Sequence, residues 1–211
     1  MRVKISPRAG IFAGGVFLIG LLSSLLNGYG LQELFRSMGE ALTVALAALL
    51  HELGHIAAAW GWGVPLRGLR LDLFGARMEL GGRIPYRAEL AVAAGGPLAS
   101  LLAASLAFPL GRVWGEANLF AAVSLGLGML NLLPVRGLDG GRMLSCGLSL
   151  LLGERAAYVT LGVTTGIALA TLWLLSGYCL LRLGETLTLF TFALCLLLRL
   201  LSPESCHGEK L

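Results

Sequence analysis

Long apolar segments limit what this sequence can fold into more than any other feature. A helix needs roughly 17–25 residues to cross the hydrocarbon core of a bilayer, and the chain contains six apolar runs of about that length. Hydrophobic residues make up 56% of its 211 residues and charged residues only 13%, too few to cover a soluble domain. We therefore predict an all-α membrane protein with about six transmembrane helices, at 11–26, 38–60, 88–109, 118–134, 157–176 and 186–201.

Basic residues are distributed unevenly between the two sides of these predicted spans. Of the 16 Lys and Arg residues, only Arg36, Arg112 and Arg182 lie on the side opposite the N-terminus. Because basic loops stay in the cytoplasm, we predict a multi-pass protein of the cell membrane with both termini cytoplasmic. No basic patch indicates a nucleic-acid partner, so the net charge of +4 reflects topology. The first segment is basic at its start, as in a signal peptide, but lacks a small-residue cleavage site and is interpreted as a span.

The segment 61–87, between the second and third predicted spans, is polar enough to leave the lipid. Leu69, Leu71 and Leu73 alternate with polar residues there, and a Gly-Gly pair follows. This alternation predicts a short cytoplasmic β-hairpin-like segment, which is either a structured connector or a surface that pairs with a substrate. No repeat or soluble domain is recognisable, so we treat 1–211 as a single polytopic membrane domain. The four cysteines are scattered singly, which favours neither disulfides nor a zinc ribbon.

The second predicted span contains the motif His51-Glu52-Leu-Gly-His55. Two histidines four residues apart share one helix face, so both imidazoles can reach one Zn²⁺. Glu52 is placed to take a proton from a water molecule at the metal. Ionisable residues inside an apolar helix are costly and usually functional, although histidines that only hydrogen-bond neighbouring helices are the alternative. The motif therefore predicts a zinc site with two histidine ligands and Glu52 as the catalytic residue.

A third protein ligand is needed if one coordination position is to stay open for water. Asp139 follows the fourth predicted span and is the only acidic residue between Glu116 and Glu154. The second and fourth spans run in the same direction, and both candidate ligand groups fall toward the cytoplasmic side. Asp139 is therefore the candidate third ligand. A helix N-cap is the alternative interpretation of this residue, and the two roles are compatible.

These motifs in combination resemble the site-2 protease family of intramembrane zinc metalloproteases, peptidase family M50. The match consists of three motifs. H-E-L-G-H lies in the second predicted span, G-P lies in the third, and N-x-x-P followed by L-D-G lies at and after the end of the fourth. It covers residues 38–145, which we take as the catalytic core. The family's G-P motif usually ends in Asn, whereas this chain has Ser100 at that position. We therefore assign Ser100 no role from the sequence.

The resemblance implies an activity and a set of functional residues. The activity is hydrolysis of a peptide bond in or near a transmembrane segment of a membrane-tethered protein within the lipid bilayer. The short form most resembles the stage IV sporulation FB protease branch, for which the substrate is a pro-sigma factor and a regulatory membrane protein is a further partner. The residues implied are His51, His55 and Asp139 as zinc ligands, Glu52 as catalytic acid and base, and Asn131 near the substrate or the oxyanion.

Two other classes of function are compatible with the same motifs. A catalytically inactive homologue would bind membrane clients without cutting them, but the intact ligand set and Glu52 favour an enzyme. A metal transporter would use the ligands as a transit site, yet transporters usually carry several acidic or histidine residues along a path, and this chain has one such cluster.

Overall fold

The computed structural model describes residues 2–5, 31–72, 75–82 and 84–183, together with Leu194 and Leu197. This part of the chain contains five helices and three strands. In chain order they are β1 (Arg2–Ile5), α1 (Leu31–Gly61), β2 (Leu66–Asp72), β3 (Gly75–Leu80), α2 (Tyr86–Leu110), α3 (Gly115–Asn131), α4 (Asp139–Leu152) and α5 (Glu154–Leu183).

Three of the described helices are long and apolar enough to cross a membrane: Phe35–Gly61, Tyr86–Leu110 and Glu154–Tyr178. They contain the predicted spans 38–60, 88–109 and 157–176. The predicted span 118–134 corresponds to α3, whose 17 residues lie at the short end of the bilayer-crossing range. Spans 11–26 and 186–201 lie outside the described residues. The prediction of a mostly helical protein with apolar membrane spans is confirmed, and the number of six stays a prediction.

The chain divides into two compact units, Met1–Met129 and Leu130–Leu211. In the first, α1 and α2 approach so closely that their backbones meet at two glycines. A Cβ at Gly54 would collide with the carbonyl oxygen of Gly95, and a Cβ at Gly95 would collide with that of Gly54. Helices in lipid associate through such small residues, because apolar side chains gain little by leaving a lipid environment. This contact fixes the position of α2 against the motif on α1.

The two faces of α2 differ in side-chain size. Its buried face carries small residues, including Ala93, Gly96 and Ser100, whereas Leu102 is 63% exposed and Leu106 is 70% exposed. A soluble helix buries its large apolar residues and exposes polar ones. The opposite arrangement in α2 fits a helix whose outer face contacts lipid and whose inner face packs against other helices.

A three-stranded sheet in the first unit has the order β1-β2-β3. β2 and β3 pair antiparallel, with Leu69 opposite Met78, and the register shifts between Leu66 and Gly68. β1 pairs parallel with β2, with Val3 opposite Leu69. The two antiparallel strands fall in the segment for which strands are predicted, whereas β1 was not predicted from the sequence.

The second unit contains α4, α5 and the loop that precedes α4. A buried cluster forms around Val135 and Leu138 of this loop, against Ala168 and Leu169 of α5. The sequence predicts a helix that continues to residue 134, but α3 ends at Asn131. The difference has a local cause, since Pro134 cannot donate a backbone hydrogen bond and Gly137 adopts a left-handed φ of 87°. The chain therefore turns before α4 begins.

Candidate metal centre

His51 and His55 form the centre of the candidate site in the first unit. Both are 4% exposed and lie one turn apart on α1. Their Nε2 atoms are 3.2 Å apart, and the two rings meet edge to face at 84°. The pair predicted from the sequence is thus brought together with both Nε2 atoms directed at one point.

This nitrogen pair fits a zinc ion. Two nitrogens bound at 2.0–2.1 Å to one tetrahedral zinc lie roughly 3.3 Å from each other, and the observed separation is 3.2 Å. Gly96 of α2 keeps the space beside these atoms open, because a Cβ at this position would overlap the Nε2 atoms of both histidines. The donor atoms and the room beside them are therefore both compatible with a bound metal.

The second nitrogen of each imidazole has a partner on α2. His55 Nδ1 lies 2.7 Å from the carbonyl oxygen of Val92, which can only accept, so Nδ1 donates and the ring proton is not on Nε2 in the neutral imidazole. The Gly96 N–H lies 3.2 Å from the same Nδ1, but this nitrogen cannot accept while it carries a proton. His51 Nδ1 lies 2.9 Å from the hydroxyl oxygen of Ser100.

Sequence reasoning assigned no role in the site to Ser100 or to Gly96. Both lie on the helix opposite the histidines, more than 40 positions away along the chain. No spacing rule connects residues at that separation. The only available signal was a hydroxyl and a glycine within the stripe of small residues that begins with the G-P motif.

Glu52 and Asn131 are both half-buried. Glu52 lies on α1 directly after His51. Asn131 is the last residue of α3. These positions are compatible with the roles expected for the two residues, which stay predictions.

Asp139 lies in the second unit as the first residue of α4, and its side chain is 9% exposed. The N-cap interpretation is wrong in detail, because the N-cap position belongs to Leu138. The next two residues are glycines for a steric reason. A Cβ at Gly140 would collide with the backbone of Leu132, and one at Gly141 would collide with that of Val135.

Arg136 fastens the loop before α4 to α5. Its backbone N–H donates to the Thr165 hydroxyl at 3.0 Å, and its guanidinium donates to the Tyr158 carbonyl at 3.2 Å. The guanidinium carbon also lies 4.3 Å from the centre of the Tyr158 ring, within the range of a cation–π interaction. Asp139 therefore starts α4 directly after a loop that is bonded to α5.

Known proteins resemble this chain in sequence, although no protein-family model matches it. Rip3 of Mycobacterium tuberculosis, which is named as a zinc metalloprotease, is 36% identical over 116 residues, covering 50% of this chain and 30% of Rip3. Stage IV sporulation protein FB of Bacillus subtilis is 34% identical over 113 residues, which cover 51% of this chain and 39% of that protein. A zinc metalloprotease of Methanocaldococcus jannaschii is 32% identical over 140 residues, which cover 63% of this chain and 40% of that protein. The chain thus spans between 30 and 40% of the length of these relatives.

A solved structure resembles the chain over nearly its whole length. The site-2 protease from Methanocaldococcus jannaschii superposes with a TM-score of 0.63 over 92% of this chain and 86% of that one, at 23% identity. At this level of identity the likeness concerns the fold. In sequence and in fold, these comparisons confirm the resemblance of the chain to the site-2 protease family of zinc metalloproteases.

Proposed function

We propose that this chain is an intramembrane zinc metalloprotease that hydrolyses a peptide bond in or near a transmembrane segment of a membrane-tethered protein. One observation carries the proposal. His51 and His55 lie buried on a helix long and apolar enough to cross a membrane, with their Nε2 atoms 3.2 Å apart. A pair of nitrogen donors at zinc-binding separation has no simple role in helix packing.

The proposed ligand set adds Asp139 to this pair. Two imidazoles and one carboxylate are donors that zinc accepts in proteins, and all three side chains are buried. Three protein ligands leave one position of a tetrahedral zinc open, as a catalytic site needs. Relatives that are named zinc metalloproteases support zinc as the metal.

Catalysis then depends on what the surrounding side chains do. When bound, zinc supplies a Lewis acid that polarises the scissile carbonyl and makes water more acidic. The Glu52 carboxylate accepts a proton from the attacking water and returns it to the leaving amine nitrogen as the C–N bond breaks. The Asn131 amide donates a hydrogen bond to the substrate near the carbonyl oxygen, which supports the developing negative charge.

The substrate must present an extended peptide bond to this site. A transmembrane helix satisfies its own backbone groups, so its peptide bonds are screened until the helix unwinds locally. We propose that the natural substrate is tethered to the membrane and that the site opens toward the cytoplasm. The similarity to stage IV sporulation protein FB supports a role in sporulation. We propose a pro-sigma factor as the substrate and a membrane protein as the regulator, as the resemblance of the motifs implies.

Two substitutions separate metal binding from chemistry. Glu52→Gln keeps the shape of the side chain but removes its basicity. We expect the purified variant to hold about as much zinc as the wild type and to cleave a co-expressed membrane-tethered substrate at least about 100-fold more slowly. Asp139→Asn weakens a ligand, so zinc content and cleavage should fall together.

Elemental analysis and a cleavage assay on both variants test the roles proposed for Glu52 and Asp139. Wild-type cleavage by Glu52→Gln would overturn the proposed general base. Asp139→Asn protein with normal zinc and normal cleavage would remove Asp139 from the site. A wild-type protein that binds zinc but cuts none of a broad panel of membrane-tethered substrates would favour the inactive client-binding homologue.

A further inference from the structure

Ser100 stands out among the small residues of α2 because it contacts a candidate metal ligand. Its side chain is 1% exposed, and its hydroxyl oxygen lies 2.9 Å from His51 Nδ1. On the other histidine the equivalent nitrogen is held by a main-chain carbonyl, that of Val92. Substitution cannot remove the Val92 carbonyl, whereas the contact to His51 depends on one side chain.

We propose that Ser100 is a positioning residue of the metal centre, which sets the tautomer and ring orientation of His51. The Ser100 hydroxyl oxygen accepts the Nδ1 proton of His51, so that Nε2 carries no proton and can serve as a metal donor beside His55 Nε2. The inference rests on the proposed zinc site and deepens it. Partners of this kind fix the orientation of a ligating histidine and raise its affinity for the metal.

The surroundings of Ser100 are closely packed. A Cβ at Gly128 of α3 would come within 3.1 Å of the Ser100 Cβ, so α3 packs directly against this position. The nearby Ala104 and Val92 of α2 are buried as well. Without the hydroxyl, a proton on His51 Nδ1 would lose its acceptor in a site with little access to solvent, and either nitrogen could then carry the proton.

A purely structural role for Ser100 makes a different prediction. A close helix contact needs only a small side chain, and alanine satisfies that need as well as serine does. Ser100→Ala therefore preserves the packing and removes only the hydroxyl. Ser124 of α3 offers a matched control, because it is 0% exposed and its hydroxyl has no hydrogen-bond partner within the described residues.

The first measurement is zinc release from detergent-purified protein to an excess of a chromogenic chelator. We expect Ser100→Ala to release zinc about 10- to 100-fold faster than the wild type, as loss of such a partner typically does. Ser124→Ala should match the wild type within about twofold, because it loses no partner of a ligand. Equal release rates from the two variants would overturn the proposal.

The second measurement reads the tautomer directly by ¹⁵N NMR of histidine-labelled protein, which is tractable because the chain has only three histidines. In the wild type, His51 should carry its proton on Nδ1, and in Ser100→Ala that proton should exchange faster with water. A wild-type His51 protonated on Nε2 would overturn the proposal without any variant. If the wild type holds no zinc, the proposed function and this inference fail together. If it holds zinc and Ser100→Ala releases it no faster than Ser124→Ala does, only the inference fails.

Discussion

At the scale of single residues, the metal centre depends as much on a missing side chain as on the ligands. Gly96 lies where α2 meets both imidazoles, and any larger residue would fill the space beside the two Nε2 atoms. The glycine of the G-P motif is thus part of the site. A Cβ at Gly95 would meet the backbone of α1, whereas one at Gly96 would meet the two imidazoles themselves.

We therefore expect Gly96→Ala to displace the imidazoles and to lower the zinc content of the purified protein from about one per chain to well below half. Gly126→Ala on α3 is the control, because its added Cβ would meet nothing within 4 Å. Elemental analysis of both variants, with circular dichroism to verify helix content, is the measurement. A Gly96→Ala protein with full zinc would show that the space beside the histidines is not needed.

The residue scale also shows what the sequence can and cannot predict about the site. His51 and His55 were predictable because a separation of four places two side chains on one helix face whatever the rest of the fold does. Ser100 was not predictable, since its contact with His51 exists only once α2 has packed against α1 through Gly54 and Gly95. Contacts between helices follow from packing geometry, which no local pattern encodes.

At the scale of elements, close backbone contacts constrain the start of α4. The loop before the helix folds back against it, with Arg136 bonded to Thr165 and Tyr158 on α5. Two consecutive glycines let the loop backbone lie directly on the first helical turn. Asp139 immediately precedes these glycines, so its position depends on this backbone contact.

Substitutions on one helix test this dependence. Gly140→Ala places a Cβ into the backbone of Leu132, so we expect it to lower the stability by about 1–3 kcal/mol and to reduce zinc binding. Gly147→Ala lies on the same helix with nothing within 4 Å of the added Cβ, and it should be neutral or stabilising by up to about 1 kcal/mol. Thermal unfolding in detergent and zinc content measure both effects. Equal behaviour of the two variants would contradict the close loop contact.

Elements differed in how readily the sequence revealed them. Spans such as 88–109 were predictable because a long apolar run has few alternatives to a membrane helix. The 14-residue α4 was not predicted as a separate helix, since it begins Asp-Gly-Gly-Arg and lacks a continuous apolar run. The four-residue β1 was missed for another reason, because its partner β2 is far away in the sequence.

At the scale of the whole molecule, the described surface is that of a protein embedded in lipid. Large apolar side chains are widely exposed, including Leu174 at 76% and Leu181 at 87%. A soluble monomer rarely shows apolar patches of the extent that such helices present. The membrane location predicted from composition is therefore supported by the folded chain, while the orientation and the single membrane domain stay predictions.

Orientation can be tested with reporters fused at two positions. A reporter inserted near Arg112, in the turn between α2 and α3, should read as external, and one fused after Lys210 should read as cytoplasmic. The physical reason is the excess of Lys and Arg on the predicted cytoplasmic side. Alkaline phosphatase and a fluorescent protein give opposite signals on the two sides. The inverted pattern at both positions would refute the orientation.

The parallel pairing of β1 with β2 has a consequence for the order in which the first unit forms. Val3 and its partner Leu69 are separated by about 66 residues, so at a synthesis rate of roughly 5–20 residues per second the partner appears several seconds later. During that delay β1 has no strand to join, and α1 must be made before the pairing can occur. β1 is therefore the first of the three strands to be synthesised, but it cannot enter the sheet before β2 has been made. A bulky fusion directly before Arg2 would slow the pairing of β1 with β2. We therefore expect it to lower the yield of folded protein more than it lowers the stability of the protein that has folded.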